Sequence, residues 1–142
     1  MKTYDRIIAE SLALFNAHGE RSVTTNHIAA HLGISPGNLY YHFRNKEDIV
    51  YQIFLQYQDF VRQRLTLPAD RQPQVADVLG YLDTAFDGMW RYRFMFYDLT
   101  GLLARNPALQ SAYQAFIDDE LSDALHRLFQ RCADAGLFAI DE

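Results

Sequence analysis

The chain has 142 residues, 49% of them hydrophobic and 14% aromatic, with a formal net charge of −5. That length suits one fair-sized domain or a small one fused to another. With no long apolar run, signal peptide or basic targeting segment, the composition excludes a membrane-spanning or secreted reading and predicts a cytoplasmic protein.

From Tyr4 to Ala17, the residues Tyr4, Ile7, Ile8, Leu12 and Phe15 share one face, which predicts an amphipathic helix ending near His18-Gly19. The next stretch, Thr24 to Phe43, has the pattern of two short helices joined by a tight turn. In the first, Ile28, Ala29 and Leu32 recur at helical spacing, Thr24 or Thr25 is placed to cap the start, and Gly33 suits the left-handed residue that ends it. The second opens with Ser35 as N-cap, Pro36 at the first helical position, and Ile34 placed to staple onto Leu39. Leu39 and Phe43, four apart, form its buried stripe. Gly37, Asn38, Tyr41 and His42 therefore face outward with Tyr40 at the edge, a composition suited to a helix lying in a DNA major groove.

The run TTNHIAAHLGISPGNLYYHFRNKEDIV, residues 24–50, resembles the DNA-binding domain of the TetR family of bacterial transcriptional regulators. The resemblance implies that Thr25, Asn26, Pro36, Gly37, Asn38, Tyr40, Tyr41, His42 and Lys46 approach DNA. It makes Tyr41 and Lys46 phosphate contacts, and Asn38 and His42 readers of base edges. It also implies a homodimer on a palindromic double-stranded operator and a small hydrophobic or aromatic effector. Members of that family usually run longer and dimerise through two helices near the C-terminus; the chain, ending at Asp141-Glu142, is expected to lack them.

A net negative charge argues against a nucleic-acid partner until its distribution is considered. Residues 1–50 hold five cations and five anions, and the remaining residues hold eight and thirteen. The whole deficit therefore lies outside the helix-turn-helix. Four of the five histidines (His18, His27, His31, His42) lie inside the first part, where a phosphate field favours their protonated forms.

Asn45 is placed to cap a longer helix from Lys46 to about Leu65, whose apolar residues Ile49, Val50, Ile53, Phe54, Tyr57, Phe60 and Val61 give it a broad buried face. Asp48, three residues past the cap, is placed to return a bond to it. The segment from Leu67-Pro68 to Gln72-Pro73 is a loop. Val75, Val78, Leu79, Leu82, Ala85, Phe86, Met89 and Trp90 then mark one helix, and Tyr92 through Leu103 a second. Asn106-Pro107 restarts the chain into a long helix that carries Leu109, Tyr113, Phe116, Ile117, Leu121, Leu125, Leu128, Phe129 and Cys132 and ends at Gly136. Cys132, the single cysteine, sits on that apolar rhythm and is expected to be core.

The aromatic segment at 88–103 admits two readings. One is a thick aromatic core. The other is an effector cavity touched by Trp90, Tyr92, Phe94, Phe96 and Tyr97 as a group, with Arg91 and Arg93 available to a ligand carboxylate. His27 and His31 have metal-ligand spacing without a third ligand nearby, and the acidic run Asp118-Asp119-Glu120 suits a solvated helix face. Neither a phosphate loop nor a nucleophile motif is present. The expectation is an all-α protein without cofactor, metal or catalytic residue. A three-helix helix-turn-helix domain (1–47) precedes a helical-bundle regulatory domain (48–142). An effector-free DNA-binding protein and a helical enzyme or binding protein stand as alternatives.

Overall fold

The computed structural model describes residues 1–138, and every regular element in it is helical. In chain order these are α1 (Thr3–His18), α2 (Thr25–Leu32), α3 (Pro36–His42), α4 (Lys46–Arg64), α5 (Val75–Arg91), α6 (Arg93–Tyr97), α7 (Leu99–Arg105), α8 (Pro107–Ala115) and α9 (Ser122–Asp134). A 3-10 turn, Glu20–Ser22, follows α1, and a π-helical turn, Phe116–Leu121, joins α8 to α9 in one continuous rod. No helix among the described residues is long and apolar enough to cross a membrane. Asp141 and Glu142 lie outside the described residues.

Local chemistry explains the first four helices. Thr24 Oγ1 accepts from the His27 N–H at 3.1 Å while His27 Nδ1 accepts from the Thr24 N–H at 3.2 Å, a reciprocal cap that requires Nδ1 to be unprotonated. At the other end of α2, Gly33 adopts φ 69°, and the N–H groups of Gly33 and Ile34 return to the Ala30 and Ala29 carbonyls. Ser35 Oγ accepts from the Asn38 N–H at 3.0 Å to start α3, and Asn45 Oδ1 accepts from the Asp48 N–H at 2.9 Å to start α4. Asp48 returns its bond to the Arg44 N–H at 3.3 Å, one residue before the cap.

The first core is built from Ile7, Phe15, Ile28, Leu39, Ile49 and Ile53, all fully buried, with Tyr4 stacked on Phe43 at 4.8 Å. The second gathers around α4: Phe54, Tyr57, Tyr92, Phe96, Tyr113 and Phe116 meet edge-on or tilted within about 6 Å. Gly88 lets α5 approach α4 closely, since a Cβ there would lie 3.2 Å from the Phe60 ring. The guanidinium groups of Arg64 and Arg91 flank that ring at 4.0 and 5.0 Å, and both pair with Asp87.

The single helix expected from Tyr92 to Leu103 is broken at Asp98, whose backbone leaves the helical region at ψ 49°. Most of the apolar stripe of α5, including Val75, Leu79, Leu82, Phe86 and Met89, is exposed rather than buried. The stripe of the last rod divides: Leu109, Phe116, Leu128 and Cys132 are buried, whereas Phe129 stands out.

Candidate nucleic-acid interface and effector cleft

The outward face of α3 carries the predicted contact residues. Its packing side is anchored by Leu39 and Phe43, both buried, so Pro36, Gly37 and Asn38 are exposed and Tyr41 is 84% exposed. His42 is half-buried, its ring edge-on to Tyr41 at 5.1 Å and to Tyr4 at 6.2 Å. Thr25 Oγ1 and Tyr40 Oη lie 2.7 Å apart, tying the start of α2 to α3. Two hydroxyls sharing one such bond retain one proton to donate outward, as a phosphate oxygen requires. Asn26 is exposed in the first turn of α2.

Lys46 does not face outward with the others. Its ammonium donates to the carbonyls of Glu20 at 2.8 Å and Val23 at 3.1 Å and pairs with Glu20 Oε1 at 3.3 Å. Two of the three ammonium protons go to carbonyls, and a carboxylate stands beside the charge. Lys46, expected as a phosphate contact, thus fastens α4 to the turn after α1. Arg6 donates to the Leu32 carbonyl and Arg21 pairs with Asp98, so two cations of the first 50 residues, Lys2 and Arg44, find no acceptor among the described residues. Arg44, exposed just beyond the end of α3, is not singled out by the sequence, because nothing local distinguishes a paired arginine from an unpaired one.

A network joins this head to the rest. Asn16 on α1 donates from Nδ2 to the Arg91 carbonyl at 2.9 Å and accepts at Oδ1 from the Phe94 N–H at 3.1 Å, satisfying the end of α5 and the start of α6 together. Glu20 also accepts from Arg105 at 2.8 Å, and Asp98 receives both Arg105 and Arg21. Asn106, buried, caps α8 through Oδ1 and donates to the Glu47 carbonyl at 3.1 Å. The histidines with metal-ligand spacing are otherwise occupied: His27 in the α2 cap and His31 in a 3.2 Å pair with Glu10.

The five aromatic residues expected around an effector do not converge. Trp90 and Tyr97 are 64% and 75% exposed, while Tyr92 and Phe94 are buried and Phe96 is half-buried. The cause is the pair of helix ends at residues 92 and 98, which sends consecutive rings in different directions: Tyr92 and Phe96 onto Tyr57, Phe94 onto Phe15 at 5.1 Å. Phe94 and Tyr97 share only a hollow of about 170 Å³ against Glu20 and Arg105. Arg93 lies over the Trp90 ring at 4.2 Å, and Arg91 pairs with Asp87. The larger apolar cleft, about 270 Å³, lies between α4, α5 and α9, walled by Val61, Leu65, Val78, Leu82, Ala85, Leu121, Leu125 and Leu128. Tyr57 also lines it, and burial pushes its hydroxyl pKa up.

A family model described as bacterial regulatory proteins, tetR family, matches residues 7–53, and one described as bacterial transcriptional repressor matches residues 56–142. The chain belongs to the TetR family. A TetR-family transcriptional regulator from Marinobacter aquaeolei VT8 is 51% identical, with a TM-score of 0.93 over 100% of this chain and 70% of that one. The TetR-family regulator PfmR from Thermus thermophilus shares the fold at a TM-score of 0.74 and 24% identity, covering 97% of this chain and 76% of its own. The probable acrEF/envCD operon repressor of Escherichia coli strain K12 is 29% identical over 76 residues, which are 51% of this chain and 34% of that protein. This TetR-family chain therefore aligns with about a third of the curated relative's length.

Proposed function

We propose that the chain is a ligand-responsive repressor that binds a near-palindromic double-stranded operator as a homodimer in the cytoplasm. Residues 1–47 form its DNA-binding head and residues from 48 onward its regulatory unit. The observation that carries this reading is the face of α3: a polar and aromatic surface held outward over buried Leu39 and Phe43, in a segment that matches the TetR-family model. Asn38 and His42 read base edges. Tyr41, Arg44 and the Thr25–Tyr40 hydroxyl pair hold phosphates, while Pro36, Gly37 and Asn26 let the backbone approach the groove.

Two such helices must sit about 34 Å apart, or a multiple, to enter successive major grooves. The effector is a small apolar molecule in the cleft between α4, α5 and α9. One that fits only when α4 is displaced changes the spacing of the heads, by no more than its differential affinity for the two states allows. The test is fluorescence anisotropy on DNA from upstream of the gene against random duplex, at two salt concentrations. Asn38→Ala relaxes base preference, whereas Tyr41→Ala weakens all sequences alike. Equal effects of both substitutions on both DNAs would remove the assignment of roles.

A further inference from the structure

The apolar cleft continues into a second opening of different chemistry. A hollow of about 310 Å³ shares Val61, Leu65 and Leu121 with it and carries Arg62, Glu120 and Arg127 at its rim. The π-helical turn Phe116–Leu121 makes this mouth; such wide turns recur at functional sites. Glu120 accepts two bonds from the Arg62 guanidinium, through Nε and Nη2, and Asp59 stands 3.6 Å from its third nitrogen. Arg62 is thus fully countered. Arg127, on α9, has no acceptor among the described residues, so the mouth of an otherwise apolar cleft holds one uncompensated cation.

We propose that this composite groove binds an amphiphile with a single apolar tail and an anionic head, the tail between α4, α5 and α9 and the head on Arg127 beside the Arg62–Glu120 pair. The proposal rests on the reading of the cleft as the effector site and adds the chemical class of the effector. Apolar walls supply the affinity, and they do so without regard to the head group. Arg127 supplies the discrimination, because a guanidinium presents a planar fork that a carboxylate fills and an alcohol does not. Glu120 competes from within: its carboxylate holds Arg62 away from the arriving head.

Calorimetric titration of the full chain with decanoate and with decanol, both below their aggregation limits and without DNA, tests this. Decanoate is expected to bind at least about tenfold more tightly than decanol. Arg127→Gln should erase that preference while leaving decanol affinity within about twofold. Glu120→Gln should tighten decanoate binding severalfold, and Leu125→Asp, in the wall, should abolish both. Equal affinities for the two probes, or a preference that survives Arg127→Gln, overturns the proposal. So does a groove that takes neither probe while Leu125→Asp shifts the chain's own association state, since the occupant is then a second copy. Because no DNA is present, failure here leaves operator binding untouched, and failure of operator binding leaves this result standing.

Discussion

Replacing Lys46 by Met separates an interior role from a DNA contact. Met keeps most of the stem and removes only the ammonium, so the loss reports on the three partners of Nζ rather than on packing. The side chain is 20% exposed and that of Glu20 is 11% exposed, and each bond from a charged donor to a carbonyl is worth about 1.5–3 kcal/mol. Glu20 retains Arg105, which limits the damage to the two carbonyls of Glu20 and Val23. The expected cost is about 3 kcal/mol, a fall in Tm of about 6–12 °C for a chain of this size. Urea unfolding followed by circular dichroism measures it. On DNA, below the new Tm, the salt dependence of binding should keep its slope, since a lost phosphate contact lowers the magnitude of that slope by about 0.9 per protomer. The reasoning is refuted if Lys46→Met leaves stability within about 0.5 kcal/mol of the parent and reduces the slope by that amount.

Arg44→Gln should do the reverse, reducing the salt slope by about one per protomer with stability unchanged, as read by anisotropy and urea unfolding. Asn106→Ala removes a helix cap and the bond to the Glu47 carbonyl, each worth about 1 kcal/mol, so Tm should fall by about 4–8 °C. Asn106→Ser, which keeps a capping oxygen, should lose about half of that, and equal losses would discard the cap argument. Ser11 Oγ is buried without a hydrogen-bond partner among the described residues, so Ser11→Ala should raise stability by about 1 kcal/mol, and a measured loss would mean that the hydroxyl is bonded. Arg71, with help from the Gln74 N–H, holds the Asp77 carboxyl down at about 2 against an ordinary value of 3.8. A depressed acid stabilises the fold above its unfolded pKa, so this contribution is whole above about pH 4 and lost as pH falls through 2. Asp77→Asn should flatten the acid limb of the Tm profile in that window.

The head was legible in the sequence because its signals are local. Thr24, Gly33, Ser35-Pro36 and Asn45 each act within four residues, and each stands where the pattern places it. The break at Asp98 was not legible: no glycine or proline marks it, and its carboxylate is held by Arg105, seven residues on, and by Arg21 in the turn after α1. Asn16 does the same for the helix ends at Arg91 and Phe94, more than seventy residues away. Abundance of aromatic residues therefore gave no sign of where an apolar cleft would open. The better signal was spacing, Val78, Leu82 and Ala85 on α5 facing Leu121, Leu125 and Leu128 on the last rod, each set at i, i+4, i+7. The engagement of Lys46 had no signal at all, since both of its partners sit in the turn after α1.

A single rod, α4, serves both cores: Ile49, Val50 and Ile53 belong to the head, while Phe60 and Val61 lie beside α5 and the cleft. Its 19 residues span about 28 Å with no glycine or proline to bend them. It is pinned at its first turn, by Asn106 on the Glu47 carbonyl and by the bonds of Lys46. Such a geometry gives a mechanical ratio rather than a hinge. A displacement of about 2.4 Å at the far end is a rotation of only about 5° over that length, and it is delivered whole to whatever rides on the pinned end.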